Sequence, residues 1–276
     1  MKSGRRLAPL VPAAVAALAM AATLATAAPP QELFPGGATA YLVVADGRTL
    51  WSREPDRALA PASLTKIMTA LVFLESGLPQ DGVVTVSANA QRATGSRLGL
   101  KAGERMRAGD ALAATLLRSA NDACLVLAEH VAGSKARFAQ RMNARAGELG
   151  LARTRFTNPC GHDEPGHRSS ARDLAVLAGA AMAIPAFAEL VAKVEQPIAT
   201  LAGRRFLLSN RNEIVGRYPG AIGVKSGFTP AAGKCLVALA RRDGVTVLLV
   251  LLNGQDRWWD SVAALDAAFA EARPAR

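Results

Sequence analysis

The segment Pro61-Ala-Ser63-Leu-Thr-Lys66-Ile-Met-Thr-Ala-Leu-Val-Phe-Leu74 constrains the fold more than any other part of the chain. It fits a helix that begins near Ser63, with proline just before it and a Ser76-Gly77 stop after Glu75. Ile67, Met68, Ala70, Leu71, Val72, Phe73 and Leu74 make that helix apolar nearly all round, so it belongs inside the molecule. Lys66 goes in with it. Residues three apart share a helix face, which points Ser63 and Lys66 into one space. Burial disfavours an ammonium, and a second cation at Lys225 disfavours it further, so both move Lys66 toward the neutral amine.

Two later signatures complete a pattern. Ser119-Ala-Asn121 interrupts the apolar periodicity between helical stretches at 110–117 and 122–132, which places it in a loop. Lys225-Ser-Gly227 ends a short strand, 221–227, whose glycine admits another backbone closely. Each is common alone: Ser-x-x-Lys fits solvated helix faces, Ser119 or Asn121 could cap the second helix, and a lysine often protects an edge strand. In this order, however, they describe serine acyl transfer. A serine hydroxyl must lose its proton to a base as it attacks a carbonyl, and Lys66 is placed to be that base. Ser119 can relay a proton to a leaving amine, and the Asn121 amide can both donate to and accept from a peptide backbone. An extended peptide could add to the edge of the Lys225 strand, with Lys225 and the Ser226 hydroxyl meeting its carboxylate.

These residues, with Leu98-Gly-Leu-Lys-Ala-Gly-Glu104, Leu116-Leu-Arg-Ser-Ala-Asn-Asp-Ala123, Phe156-Thr-Asn-Pro159, Ser170-Ala-Arg-Asp-Leu174 and Gly223-Val-Lys-Ser-Gly-Phe-Thr229, resemble the D-alanyl-D-alanine carboxypeptidases, low-molecular-mass penicillin-binding proteins of the serine peptidase class. The resemblance runs from about residue 40 to 252. It implies an α/β fold, a five-stranded antiparallel sheet flanked by helices with a mostly helical region over 61–190. It implies Ser63 as acyl-ester nucleophile, Lys66 as base, Ser119 and Asn121 as the second active-site element, and Lys225, Ser226 and Gly227 as the third. The backbone N–H groups of Ser63 and Phe228 would hold the developing oxyanion, and Arg211 would face the substrate carboxylate. The implied partners are peptidoglycan stem peptides ending in D-Ala-D-Ala, with β-lactams as inhibitors. Two departures stand out: the third signature has serine where threonine is commoner, and Cys124 occupies a position usually small and apolar, where it reads as a packed hydrophobe. One rival is a β-lactamase, but Glu164 is followed by Pro-Gly-His-Arg and lacks the Glu-x-x-x-Asn pattern of class A enzymes. The other is a non-catalytic peptidoglycan-binding or penicillin-sensing module, which would have no need of nucleophile and base together.

Lys2, Arg5 and Arg6, an alanine- and leucine-rich run and Ala25-Thr-Ala27 have the layout of a secretory signal peptide over 1–28, leaving a catalytic domain over 29–276. The expectation is an exported enzyme of the periplasm, extracellular space or cell wall, without a stable membrane anchor. Asp46-Gly47 and Asp243-Gly244 mark two hairpins, and Trp258, Trp259, Val262, Leu265 and Phe269 form one face of a closing helix expected to pack on the sheet. The chain carries +11, much of it in dispersed arginines, and nothing in it points to nucleic acid. Three cysteines leave at least one unpaired within the chain and leave open whether two pair. His162 and His167 read as loop residues; no metal or cofactor is expected.

Overall fold

The structure, a computed structural model, describes residues 37–272. The signal-peptide reading of 1–28 lies outside them, as does the Trp259 side chain. In chain order the elements are β1 (Ala38–Ala45), β2 (Arg48–Arg53), a 3-10 turn (Ala62–Leu64), α1 (Thr65–Glu75), β3 (Val83–Thr85), α2 (Ala88–Gln91), β4 (Arg105–Arg107), α3 (Ala108–Leu116), α4 (Asn121–Ala132), α5 (Lys135–Glu148), α6 (Ala171–Met182), α7 (Pro185–Val191), β5 (Glu195–Ala199), β6 (Arg205–Ser209), β7 (Ala221–Thr229), β8 (Gly233–Arg242), β9 (Val245–Gly254) and α8 (Arg257–Ala272).

Both expected hairpins form. Asp46 and Gly47 (φ 45° and 82°) join β1 to β2, and Asp243 and Gly244 (φ 50° and 82°) join β8 to β9, the paired positive φ of a type I′ turn. The hairpins meet through β1 and β9, and β7 adds at the far side, giving an antiparallel sheet in the order β2-β1-β9-β8-β7. The sheet is covered on both faces, so the side-chain alternation of β8 divides two cores. Leu236, Ala238 and Ala240 face α8 with Leu265 and Phe269, while Val237 and Leu239 face the helical layer with Leu42, Val250 and Leu252. Trp258 and Val262 pack partly buried on the α8 side, as expected.

The helical layer is built around α1, in which every residue from Thr65 to Phe73 is buried, Lys66 included. Two short antiparallel pairs, β3 with β4 and β5 with β6, interrupt the region read as mostly helical and the stretch beyond it. Among the described residues no single helix is long and apolar enough to cross a membrane.

Cys124 is fully buried, as expected for a small hydrophobe, but it is also bonded to Cys160, with Cα atoms 6.0 Å apart. The bridge ties α4 to the loop that follows α5. Cys235 is the free thiol, and burial pushes its pKa up to about 11. A cross-link between residues 36 apart in sequence removes denatured-chain entropy equivalent to about 4 kcal/mol. The double variant Cys124→Ala/Cys160→Ala should therefore lower the urea midpoint by a large fraction of its parent value. Midpoints within experimental error of each other would mean that the bridge constrains nothing the rest of the fold does not already hold.

Candidate active site

The turn bearing Ser63 is held from two sides by glycines. A side chain on Gly227 would begin 2.9 Å from the Ser63 nitrogen, and one on Gly161 would begin 2.0 Å from the Ala62 oxygen. Gly161 also has φ 86°, so only glycine fits there. The close approach expected at Gly227 is thus to the backbone of Ser63. Gly227 and Lys225 share one face of β7, the edge strand, and this face packs toward the Ser63 turn.

Lys66 Nζ lies 3.1 Å from Ser63 Oγ, 2.7 Å from Asn121 Oδ1 and 2.6 Å from the Cys160 carbonyl. Burial drives its pKa well below the usual lysine value, and the positive charge of Lys225 adds to the effect. The resulting amine has two N–H bonds and one lone pair. Asn121 Oδ1 and the Cys160 carbonyl can only accept, so they take both N–H bonds. The lone pair is left for the Ser63 hydroxyl, which donates to it.

Each acceptor is itself held. Asn121 Nδ2 donates to the Thr94 carbonyl and to His162 Nε2, which fixes the amide so that its oxygen faces Lys66. His162 therefore accepts at Nε2, and it lines the cleft, a role its reading as a loop residue missed. Its pKa is lowered, chiefly by burial. The Cys160 carbonyl sits in a loop wound around the buried Asn158, whose Oδ1 accepts from the backbone of Cys160, Gly161 and His162. Asp122 performs the same service opposite, accepting from the backbone of Leu98, Gly99, Leu100 and Ala123. That bond set accounts for the Leu98-Gly-Leu stretch noted in the sequence.

Ser119 occupies the left-handed region at φ 59°, as does Ala62, beside Ser63, at φ 48°. Such conformations are uncommon for residues with a side chain and cost about 1 kcal/mol or more each. Neither Ser119 nor Asn121 caps α4: its N-cap is Ala120, without a side-chain bond. Both side chains face the cleft instead.

The cleft, about 370 Å³, is lined by Ser63, Ser119, Asn121, Arg211, Ser226, Gly227 and Phe228, so most of the expected residues converge there, together with His162 and Arg257. Lys225 departs from expectation. It is 1% exposed, does not line the cleft, and donates to the Ser226 carbonyl. Burial, then Arg211 and Arg257, bring its pKa down to about 7. The cations that face a ligand are Arg211 and Arg257. The Ser226 hydroxyl donates to the Arg211 carbonyl and must turn from it to meet a carboxylate. Arg257, unremarked in the sequence, donates to the Gly227 carbonyl from the first turn of α8. Glu164 is paired with Lys135 and lies outside the cleft lining.

A family model described as D-alanyl-D-alanine carboxypeptidase matches residues 27–256. The chain is 36% identical to D-alanyl-D-alanine carboxypeptidase DacB2 of Mycobacterium tuberculosis, over 84% of this chain and 82% of that one. It is 34% identical to D-alanyl-D-alanine carboxypeptidase DacF of Bacillus subtilis, but spans only 64% of that relative's length. Among solved structures it resembles a D-alanyl-D-alanine carboxypeptidase from Mycobacterium tuberculosis (TM-score 0.80, 33% identity, 88% of this chain and 96% of that one). It also resembles the Streptomyces K15 DD-transpeptidase (TM-score 0.80, 30% identity, 85% and 97%).

His167 stands behind the site. Its Nδ1 accepts from the Thr157 N–H and its Nε2 donates to Thr65 Oγ1, which in turn donates to the Ala62 carbonyl. Burial lowers its pKa to about 4. The unfolded chain therefore binds a proton near pH 6.5 that the folded chain refuses until about pH 4, so stability falls as pH drops through that window. The loss should approach about 3 kcal/mol. His167→Gln, compared with the parent by urea titration from pH 7 to 4, should show a shallower decline; equal slopes would remove His167 as its cause.

Proposed function

Because the chain belongs to the D-alanyl-D-alanine carboxypeptidase family, we propose that it is an exported enzyme that removes the terminal D-alanine from peptidoglycan stem peptides through an acyl-enzyme on Ser63. We further propose that penicillins acylate the same serine. The observation that carries the reading is the stoichiometry at Lys66: two fixed acceptors consume its N–H bonds and aim its lone pair at the Ser63 hydroxyl.

Ser63 Oγ attacks the carbonyl of the penultimate D-alanine as its proton passes to Lys66 Nζ. The carbonyl oxygen becomes an oxyanion, held by the backbone N–H groups of Ser63 and Phe228. As the C–N bond breaks, the leaving nitrogen takes a proton through Ser119, and D-alanine departs. Water then attacks the ester with Lys66 again as base, releasing the shortened peptide. In a β-lactam the leaving nitrogen stays tethered to the acyl group, obstructs water, and prolongs the adduct. The terminal carboxylate lies at Ser226 beside Arg211, and the peptide extends along the edge of β7.

Intact-mass measurement after penicillin treatment should show one adduct on the parent protein and none on Ser63→Ala; an adduct surviving in the variant would move the nucleophile elsewhere. Ser226→Thr should retain D-alanine release, whereas Ser226→Ala should lose about 1.5–3 kcal/mol of transition-state binding, roughly 10- to 150-fold in rate. Release at the parent rate by Ser226→Ala would place the carboxylate on the arginines alone.

The acylation rate should trace a bell in pH. The acid limb is protonation of Lys66, which abolishes the base. The alkaline limb starts near pH 7 in the free enzyme, where Lys225 loses the charge that favours an anionic substrate. Lys66→Arg should be inactive at every pH, because a guanidinium does not deprotonate. Lys225→Arg should keep the acid limb and carry the alkaline one upward; a profile unchanged in Lys225→Arg would assign that limb to another group.

A further inference from the structure

His162, Asn121, Lys66 and Ser63 form a chain of hydrogen bonds, with successive contacts of 3.1, 2.7 and 3.1 Å. With both His162 and Lys66 neutral it runs one way. Ser63 donates to Lys66, Lys66 donates to Asn121 Oδ1, and Asn121 Nδ2 donates to His162 Nε2. His162 is the one member of the four that both lines the cleft and titrates, because Lys66 is fully buried. Asn158 holds the His162 backbone from both sides, accepting from its N–H and donating to its carbonyl, so the ring meets Asn121 from a fixed base. The titratable groups facing the ring are Lys66 from α1, Lys135 from α5, and Glu164 and His167 from its own loop. Lys135 and Glu164 pair with each other, and Asp163 is turned away to Thr229.

A proton on His162 Nε2 sets an N–H against the Asn121 N–H at 3.1 Å, where an acceptor stood. Two oxygens lie close by, Asn121 Oδ1 and the Thr94 carbonyl that Asn121 Nδ2 now engages. If the Asn121 amide turns over, both oxygens face the imidazolium N–H and Nδ2 faces Lys66. A neutral amine has a single lone pair. That lone pair then accepts from Asn121, and an N–H of Lys66 turns to Ser63 Oγ. We infer that the chain has two directions, and that His162 on gaining a proton reverses it, so that Lys66 donates to Ser63 where it previously accepted. His162 touches no reacting atom and acts through Asn121, as a positioning residue. The inference rests on the function proposed above and adds a second acid step to the protonation of Lys66. Its sign separates it from simple electrostatics: through space an imidazolium disfavours an ammonium at Lys66 and preserves the base, whereas through the chain it removes the base.

The test follows acylation of the full chain by a fluorescent penicillin from about pH 7.5 to about pH 4.5, each protein taken relative to its own rate at the upper end. Circular dichroism at every pH confirms the fold. His162→Gln supplies an oxygen that accepts without titrating, and His162→Leu leaves the Asn121 amide to the Thr94 carbonyl alone. At the acid end the parent's rate should have fallen about fivefold further than that of either variant. A parent that resists acid as well as the variants, or better, would overturn the inference and leave His162 a through-space role only. Heteronuclear NMR of the penicillin-free parent gives a readout without turnover: the Asn121 amide resonances should titrate with the His162 ring, and amide resonances unmoved through that titration would also overturn the inference. Failure of penicillin to acylate the parent would instead count against the function proposed above, and the amide titration would still decide this inference.

Discussion

An amine cut off from water at Lys66 is the constraint on which the rest of the architecture depends. An isolated buried ammonium is among the most unfavourable groups a protein can enclose, and this one has no carboxylate against it. The fold answers with three oxygens, from Ser63, Asn121 and Cys160, which satisfy a neutral amine. Those oxygens come from the turn before α1, the start of α4 and the loop after α5, so the three segments must be held in mutual register. The Cys124–Cys160 bridge joins the second segment to the third. Asn158 shapes the third from within, and Gly161 lets it press on the first. A large part of the helical layer can be understood as the support of one nitrogen.

The same demand explains where backbone strain is tolerated. Ala62 and Ser119 are both left-handed, and both lie beside residues that must face the cleft. In an ordinary loop such conformations would relax. Here the Ala62 carbonyl accepts from Thr65 Oγ1, which His167 holds, and the Ala120 N–H bonds to the Ala114 carbonyl just beyond Ser119. Neighbouring bonds thus over-determine each turn, and the cost of order 1 kcal/mol or more is absorbed by a well-packed core.

Much of this was legible in the sequence, for identifiable reasons. The apolar run after Lys66 fixed α1 as a core helix because no solvated face was left to it. Asp-Gly pairs located both hairpins because few other dipeptides tolerate two positive φ values. The β5–β6 pair escaped notice because hydropathy does not follow the two faces: Gln196 is polar on the inward face, Leu207 is apolar and exposed on the outward one, and Pro197 argues against a strand. The bridge was hidden because spacing alone does not choose among three cysteines. His162 and His167 share one short loop, yet one lines the cleft and the other stands behind Thr65. That division depends on the path the chain takes around Asn158, and no local pattern encodes it.

Positive charge in the site is divided by depth. Lys66 and Lys225 are buried, and burial lowers both, whereas Arg211 and Arg257 stay charged at the cleft wall at any working pH. The arginines therefore favour an anionic ligand whatever the state of the lysines. A carboxylate seated at Ser226 would favour the ammonium of Lys225, whose amine donates to the carbonyl of that same residue. The ammonium of Lys225 in turn disfavours that of Lys66. On the function proposed above, an anion held at Ser226 would through this pair of like charges also help keep Lys66 unprotonated, and no conformational change would be needed for the two to communicate.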